Sequence, residues 1–440
     1  MRVAFATLGC KVNHYETQAM RELFETAGWQ AVPFSGPAEV YIVNTCTVTA
    51  VSDAKSRQMI ARAHALNPSA LIAAVGCYAQ ADAEALAALP GVGLVAGTDG
   101  RANIVTLVDR ALLQGGMDAG NPAHASCFEP ISALRGGRTR ATLKIQDGCT
   151  NYCSYCIIPY VRGPLRSRPL ADVEAELHAL VAAGYREVVL AGIHLASYGR
   201  DIGDVTLLDV LQAADGIDGL ERIRLGSLEP GFVDKDFADF AAKSRMLCDQ
   251  FHLSLQSGSP AVLTRMKRRY TPDEFSRSVA LLREARPLCA VTTDLIAGFP
   301  GETEAEHEES LDFCRRMDFS RMHVFPYSPR PGTAAAAMPD PVPKAVRDAR
   351  AKTLIACGKA LSQRYLTAQI GRELSVLVER SGVGYAANYV LVKVGGRPGD
   401  IRHVRVTGLD GDILIGEEVP QTTYLRPGAD IISNIHEYME

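Results

Sequence analysis

The chain has 440 residues, room for two or three domains, and its 47% apolar and 22% charged residues are the balance of a soluble globular protein. A net charge of −4 excludes a broad electrostatic pull on nucleic acid, so any such contact has to come from local basic patches. Eleven cysteines, an odd number with no secretory leader in view, exclude a disulfide framework, and no apolar run approaches the ~20 residues that span a bilayer; the expected setting is a reducing cytoplasm, away from membranes.

The first segment, to about residue 120, repeats one pattern. Apolar strand-like runs at 2–10, 39–46 and 70–77 each end in a cysteine, and helix-like stretches follow at 15–27, 50–66 and 81–89. The early Cys10-Lys11 ends the first run too soon for a signal peptide. Strand–helix alternation at this spacing predicts an α/β domain with a parallel sheet, whose strand carboxyl ends share one ligand-binding edge. Cys10, Cys46 and Cys77 each close a strand, so the topology carries three distant thiols to that edge. One strand-end cysteine is an ordinary small hydrophobe; three of three predict a metal site. Residues 116–138, with Gly, Pro, Ser and Arg, read as a linker, and Cys127 within it is assigned no role.

The linker leads into Lys144-Ile145-Gln146-Asp147-Gly148-Cys149-Thr150-Asn151-Tyr152-Cys153-Ser154-Tyr155-Cys156. Cys149, Cys153 and Cys156 stand at C-x3-C-x2-C spacing, short enough to fold around one metal centre. Thiolates suit iron–sulfur clusters and zinc alike, but a structural zinc normally takes four protein ligands, and the next histidine is His178, on a predicted helix. A four-iron cluster on three cysteines keeps one iron free of protein.

Further strands are expected at 141–146, 187–191, 222–225, 251–255, 291–297 and 322–325, with helices between them such as 170–183 and 272–285. Six parallel strands at this spacing predict a partial (β/α)6 barrel with its active site at the strand carboxyl ends, beside the cysteine loop. Gly192, Gly298 and Gly301 at those ends would let a ligand approach the backbone. The basic runs Arg162-Gly163-Pro164-Leu165-Arg166-Ser167-Arg168 and Arg265-Met266-Lys267-Arg268-Arg269 follow strand ends, where they can meet phosphate or be a solvated face. A loop at 326–343 and a helix at 344–366 close this domain. Short strands at 373–379, 387–394, 402–409 and 413–418 with Gly turns then predict a small β-barrel.

With both cysteine sets placed, the chain resembles the radical S-adenosylmethionine (SAM) methylthiotransferases. The resemblance runs through Gly9-Cys10, Asn44-Thr45-Cys46, Val75-Gly76-Cys77, Asp147-Gly148-Cys149 to Cys156-Ile157-Ile158-Pro159-Tyr160, Gln256-Ser257-Gly258-Ser259, and Asp294-Leu295-Ile296-Ala297-Gly298-Phe299-Pro300-Gly301-Glu302-Thr303. It implies domains at 1–115, 139–370 and 371–440, the last TRAM-like. It implies two [4Fe-4S] clusters, one auxiliary on Cys10, Cys46 and Cys77 and one on Cys149, Cys153 and Cys156, where SAM is split to a radical. SAM contacts are expected at Tyr155, Gly192 and Gly298, and partners are a tRNA anticodon loop and an electron donor such as flavodoxin or ferredoxin. Cys10-Lys11-Val12-Asn13 resembles the branch that acts at C2 of N6-threonylcarbamoyladenosine-37; the isopentenyladenosine branch typically has Gln-Met-Asn there, and the ribosomal-protein branch Pro-Lys-Asn. Methylthiolation of either of those substrates, or a non-catalytic iron–sulfur RNA-binding or electron-carrying protein, are the alternatives. The oligomeric state is not legible.

Overall fold

The computed structural model describes residues 1–115, 118–119, 126–136, 139–380 and 382–420; part of the expected linker and residues 421–440 of the expected C-terminal segment lie outside these. The N-terminal sheet is parallel throughout, in the order Gln30–Val32, Arg2–Thr7, Val40–Thr45, Leu71–Gly76, Val92–Ala96, Asp118–Ala119. Its strands read as unbroken apolar runs because both faces are covered. Ala4, Tyr41, Val43, Ile72 and Ala74 pack on Ile60 and Ala63. Val3, Phe5, Val40, Ile42 and Val75 pack on Met20, Phe24, Ile104 and Val108 on the other face. The helix at 50–66 falls where expected, capped by the Thr49 hydroxyl. The helix expected at 81–89 is instead two turns, Cys77–Ala81 and Ala83–Ala87, divided at Asp82, whose carboxylate caps the second. Cys77 therefore opens a helix rather than closing a strand. Gly76 makes the turn into it at φ +96°, where a Cβ would stand 2.3 Å from Asn44 Oδ1. The strand Val92–Ala96 and helix Ile104–Gln114 were not expected.

The central strands run parallel and in sequence order: Ala141–Lys144, Glu187–Ala191, Arg222–Leu225 with Ser227–Leu228, Gln250–Leu253, Ala290–Ala297, Arg321–Pro326. The third strand breaks at Gly226, its first half pairing with the second strand and its last residues with the fourth, so two short sheets join into one half-barrel. Among the described residues the first and last strands do not pair, and the barrel stays open. Val188, Leu190, Ile223, Phe251, Leu253 and Val291 pack on the helices through Leu177, Leu180, Leu211, Phe237 and Phe275. Strand alternation turns Thr142, Glu187, Val189, Arg222, Arg224 and His252 the other way, to the concave face.

The C-terminal segment forms a closed five-stranded barrel, Glu373–Arg380, Val383–Ala386, Leu391–Lys393, Ile413–Glu418, Ile401–Asp410, filled by Val376, Val378, Ala386, Val392, Val404, Val406 and Leu414. The single strand expected at 387–394 begins only at Leu391, because a turn with Tyr389 at φ +65° precedes it. This barrel docks on the concave face: Arg222 Nη2 donates to Ser375 Oγ at 2.6 Å, and Arg224 Nη1 to the Ala387 carbonyl at 3.0 Å. Among the described residues no helix is long and apolar enough to cross a membrane.

Candidate functional site

The loop carrying Cys149, Cys153 and Cys156 starts at a position only glycine can fill. Gly148 has φ +72°, and a Cβ there would stand 1.7 Å from the Pro164 carbonyl oxygen. Gln146 Nε2 donates to the carbonyls of Asp147 and Gly148 at 2.6 and 2.7 Å, while its Oε1 accepts from His194 N at 2.7 Å. The loop is stitched to the C-terminal end of the short helix Pro260–Arg265 through Ser154, which donates from N to Met266 O at 3.0 Å and from Oγ to Arg265 O at 2.8 Å. All three thiols are half-buried and share one electrostatic neighbourhood, with burial pushing Cys149 upward and Cys156 up to about 12. Arg268 Nη1 donates to Cys153 Sγ at 3.2 Å, a fixed positive charge that favours the thiolate form a metal would need.

Around this loop lies a polar ring that the sequence did not announce. Glu229 Oε2 is 2.9 Å from His194 Nε2 and its Oε1 is 2.9 Å from Arg268; Asn151 Nδ2 donates to Glu229 at 3.0 Å. Burial raises the Glu229 carboxyl, but His194, Arg268 and Asn151 outweigh it and hold the group at about 2. His194 and Glu229 sit at strand ends, which was the one available signal.

Cys10, Cys46 and Cys77 do converge on one edge of the N-terminal sheet, each close enough to another to disturb its ionisation. Cys10 is exposed; Cys46 and Cys77 are buried. Gly9 lies so close that a Cβ would be 3.0 Å from Cys46 Sγ. Burial raises the Cys46 and Cys77 thiols and the Arg162 guanidinium opposes it, its Nε donating to Cys77 Sγ at 3.3 Å. Among the described residues no three His, Cys, Asp or Glu side chains already stand in the geometry of a bound metal ion. A four-iron cluster asks for something wider: each thiolate holds a different iron, so the sulfurs need not converge on one point. Two separate sets of three thiols, each beside one arginine, suit clusters of that kind.

Arg162 belongs to the helix Ile158–Arg162, directly after the cysteine loop, and reaches across to the N-terminal domain. It is fully buried, 2.6 Å from Glu16 Oε1, 3.1 Å from Asp147 Oδ2 and 2.6 Å from Asn13 Oδ1. Lys144 joins it, 2.8 Å from Glu16 and 2.5 Å from Asp147. The first basic run is therefore internal rather than phosphate-facing: Arg166 pairs with Asp99 and Asp147, and Arg168 with Glu176. In the second run Arg265 pairs with Glu306 and Arg268 with Glu229, leaving Lys267 and Arg269 exposed.

Tyr155 packs with Ile296, Phe299 and Tyr327, beside the end of the fifth strand. Close protein packing leaves no room for a side chain at the two glycines expected beside it: a Cβ on Gly192 would be 2.8 Å from Gln146 Oε1, and one on Gly298 2.3 Å from Arg347 Cγ. A separate crevice of about 870 Å³ opens on the concave face between the three domains, lined by Lys11, Arg140, Arg224, Glu379, Tyr385 and Tyr389 among others.

Residues 2–97 match the model of a family described only as "Uncharacterized protein family UPF0004", and residues 143–314 match the Radical SAM superfamily. The chain is 42% identical to the threonylcarbamoyladenosine tRNA methylthiotransferase MtaB of Bacillus subtilis, over 89% of each chain. It is 37% identical to the protein of that name from Thermotoga maritima, over 94% of this chain and 96% of that one. It is also 35% identical to the tRNA-2-methylthio-N(6)-dimethylallyladenosine synthase of Streptomyces coelicolor, over 96% and 85%. In fold it is similar to the radical S-adenosylmethionine methyltransferase TsrM of Kitasatospora setae, with TM-score 0.57 and 18% identity over 76% of this chain and 77% of that one. The full-length likeness, together with two sets of three cysteines seated at the edges of two joined α/β domains, places the chain in the radical SAM methylthiotransferase family, transferases that work with SAM and [4Fe-4S] clusters.

Proposed function

We propose that the chain places a methylthio group at C2 of N6-threonylcarbamoyladenosine at position 37 of tRNA. The 42% identity to the Bacillus subtilis enzyme of that name over nearly the whole chain carries the reading. Cys149, Cys153 and Cys156 would hold the cluster whose open iron takes SAM, with Tyr155, Gly192 and Gly298 as the proposed SAM contacts. Cys10, Cys46 and Cys77 would hold the auxiliary cluster. When bound, these groups supply the electron and the radical needed at an aromatic C–H that polar chemistry does not reach. The chain's own work is placement: Gly148 and Gln146 shape one cysteine loop, Arg268 and Arg162 balance thiolate charge, and the Glu16–Arg162–Asp147 contacts hold the two sets in fixed relation.

An unstacked anticodon-loop base suits such a mouth, and the exposed pair Tyr152 and Tyr160, centroids 5.6 Å apart, offers it a stacking surface. The domains run over 1–115, 139–370 and 371–440, the last acting as a TRAM-like RNA anchor; the electron donor is a flavodoxin or ferredoxin, and the site of action is the cytoplasm. Relatives that make 2-methylthio-N6-dimethylallyladenosine, at 34–38% identity, favour that nucleoside as the second reading. Nucleoside mass spectrometry of tRNA from a strain lacking the gene separates them: loss of 2-methylthio-N6-threonylcarbamoyladenosine supports the proposal, and loss of the dimethylallyl product instead overturns it.

A further inference from the structure

The three-domain crevice has an excess of positive charge whose distribution is specific. Arg224 is paired with Glu187 at 2.8 Å and lies 4.7 Å over the Tyr389 ring. Arg222 shares the same Glu187 at 3.2 Å. Arg140 is paired with Glu379 at 2.7 Å and lies over Tyr385 and Tyr389, themselves stacked with centroids 4.8 Å apart. Both carboxylates are thus taken by arginines that cation–π contacts hold in place. Lys11 also lines the crevice, is exposed within it, and among the described residues has no carboxylate within ion-pair distance. It follows Cys10, a thiol of the proposed auxiliary set, directly in the chain.

We propose that this crevice receives the N6 substituent of the substrate adenosine, and that Lys11 reads the carboxylate at its end. The inference rests on the threonylcarbamoyladenosine reading above. The threonylcarbamoyl group ends in a carboxylate, whereas the dimethylallyl group is a hydrocarbon. The crevice volume is within the ~300–1,000 Å³ that small-molecule groups fill. A carboxylate entering it completes the charge pairing that Glu187 and Glu379 leave unfinished. A hydrocarbon would strip water from Lys11 and give nothing back. Sites built to pair a polar group reject an analogue lacking it more strongly than apolar pockets reject a misfit.

The test uses the full-length, anaerobically reconstituted protein and three fluorescent anticodon stem-loops that differ only at adenosine-37: N6-threonylcarbamoyl, its carboxylate methyl ester, and N6-dimethylallyl. Dissociation constants come from anisotropy at one salt concentration. The wild type is expected to bind the free acid about tenfold or more tighter than the ester, the usual scale of a hydrogen bond to a charged group. Lys11→Gln should lose most of that ratio while binding the ester as the wild type does, and Lys11→Arg should keep it. Lys11 is exposed, so the fold is not at risk. A wild-type ratio near one, or a ratio in Lys11→Gln equal to the wild type's, overturns the pocket. If the wild type methylthiolates threonylcarbamoyladenosine tRNA and the ratio is unmoved in Lys11→Gln, the pocket alone falls. If it modifies only dimethylallyladenosine tRNA, the reading beneath it falls too.

Discussion

Replacing Glu16 with glutamine attacks the seat between the N-terminal sheet and the half-barrel. The carboxylate is fully buried and holds three cations: Lys144 at 2.8 Å, Arg162 at 2.6 Å and Arg101 at 3.1 Å. Glutamine keeps the shape and removes the charge, leaving Asp147 as the carboxylate that Lys144 and Arg162 still share. Removing one partner of a buried ion pair costs about 3–5 kcal/mol, mostly because the charges left behind are unpaired in a low dielectric. With a urea slope of about 2–3 kcal/mol/M, the unfolding midpoint should fall by about 1–2.5 M. The only tryptophan, Trp29, packs on Phe24 in the N-terminal domain with centroids 5.2 Å apart, so its fluorescence follows the domain that loses its anchor. The same carboxylate gives a pH signature. Burial pushes Glu16 up, but Arg101, Arg162 and Lys144 outweigh it and hold the group at about 2, below its ordinary 4.5. A folded pKa below the unfolded one stabilises above the unfolded value and loses that contribution as pH falls through the folded one. The gap between wild type and Glu16→Gln should therefore be full above about pH 4.5 and shrink toward pH 2. An unchanged urea midpoint at neutral pH would refute the reasoning.

Cys46→Ala should still form 5′-deoxyadenosine with SAM and dithionite yet leave tRNA without its methylthio group, while Cys153→Ala should lose both; wild-type methylthiolation by Cys46→Ala would make the N-terminal cysteines mere packing. The triple change Cys149→Ala, Cys153→Ala, Cys156→Ala should retain about half of the reconstituted iron, since two four-iron sites become one. Gly148→Ala forces a Cβ to 1.7 Å from the Pro164 carbonyl oxygen, and should cost the same half of the iron without touching a cysteine; full iron content would mean that the loop refolds around it. Deleting residues 375–440 should weaken tRNA binding at matched salt while SAM cleavage continues, and coincident binding curves would remove the barrel as the RNA anchor.

What was legible in the sequence is what local physics decides. The buried parallel strands announce themselves as apolar runs, and the helix Pro272–Ala285 as Thr271 followed by Pro272 and Glu274, whose reciprocal capping bonds the structure forms. The Cys149 loop is readable because its three thiols are neighbours in the chain. Cys10, Cys46 and Cys77 are readable only through a topological rule, and the rule places them well even though Cys77 lies on a helix. Arg162, Arg166 and Arg168 show where such reading stops. They look like a charge run facing phosphate, because a charge run in sequence carries no record of partners supplied by Glu16, Asp99 and Asp147 from elsewhere in the fold.

Those buried charges have a geometric task that follows from the chemistry. A half-barrel and a separate sheet packed only through apolar side chains could slide by a rotamer or a residue at little cost, since apolar contact is not directional. Here Arg162 touches Cys77 Sγ, Asn13, Glu16 and Asp147 at once, and Glu16 answers with Lys144 and Arg101. Each member has several partners, so a shift that improves one contact breaks others, and every break leaves a buried charge unpaired. Arg162 also ends the helix that begins two residues after Cys156. The thiols of one set and the thiols of the other are therefore tied to the same fully buried side chain, which fixes their separation through two domains that, among the described residues, share no strand.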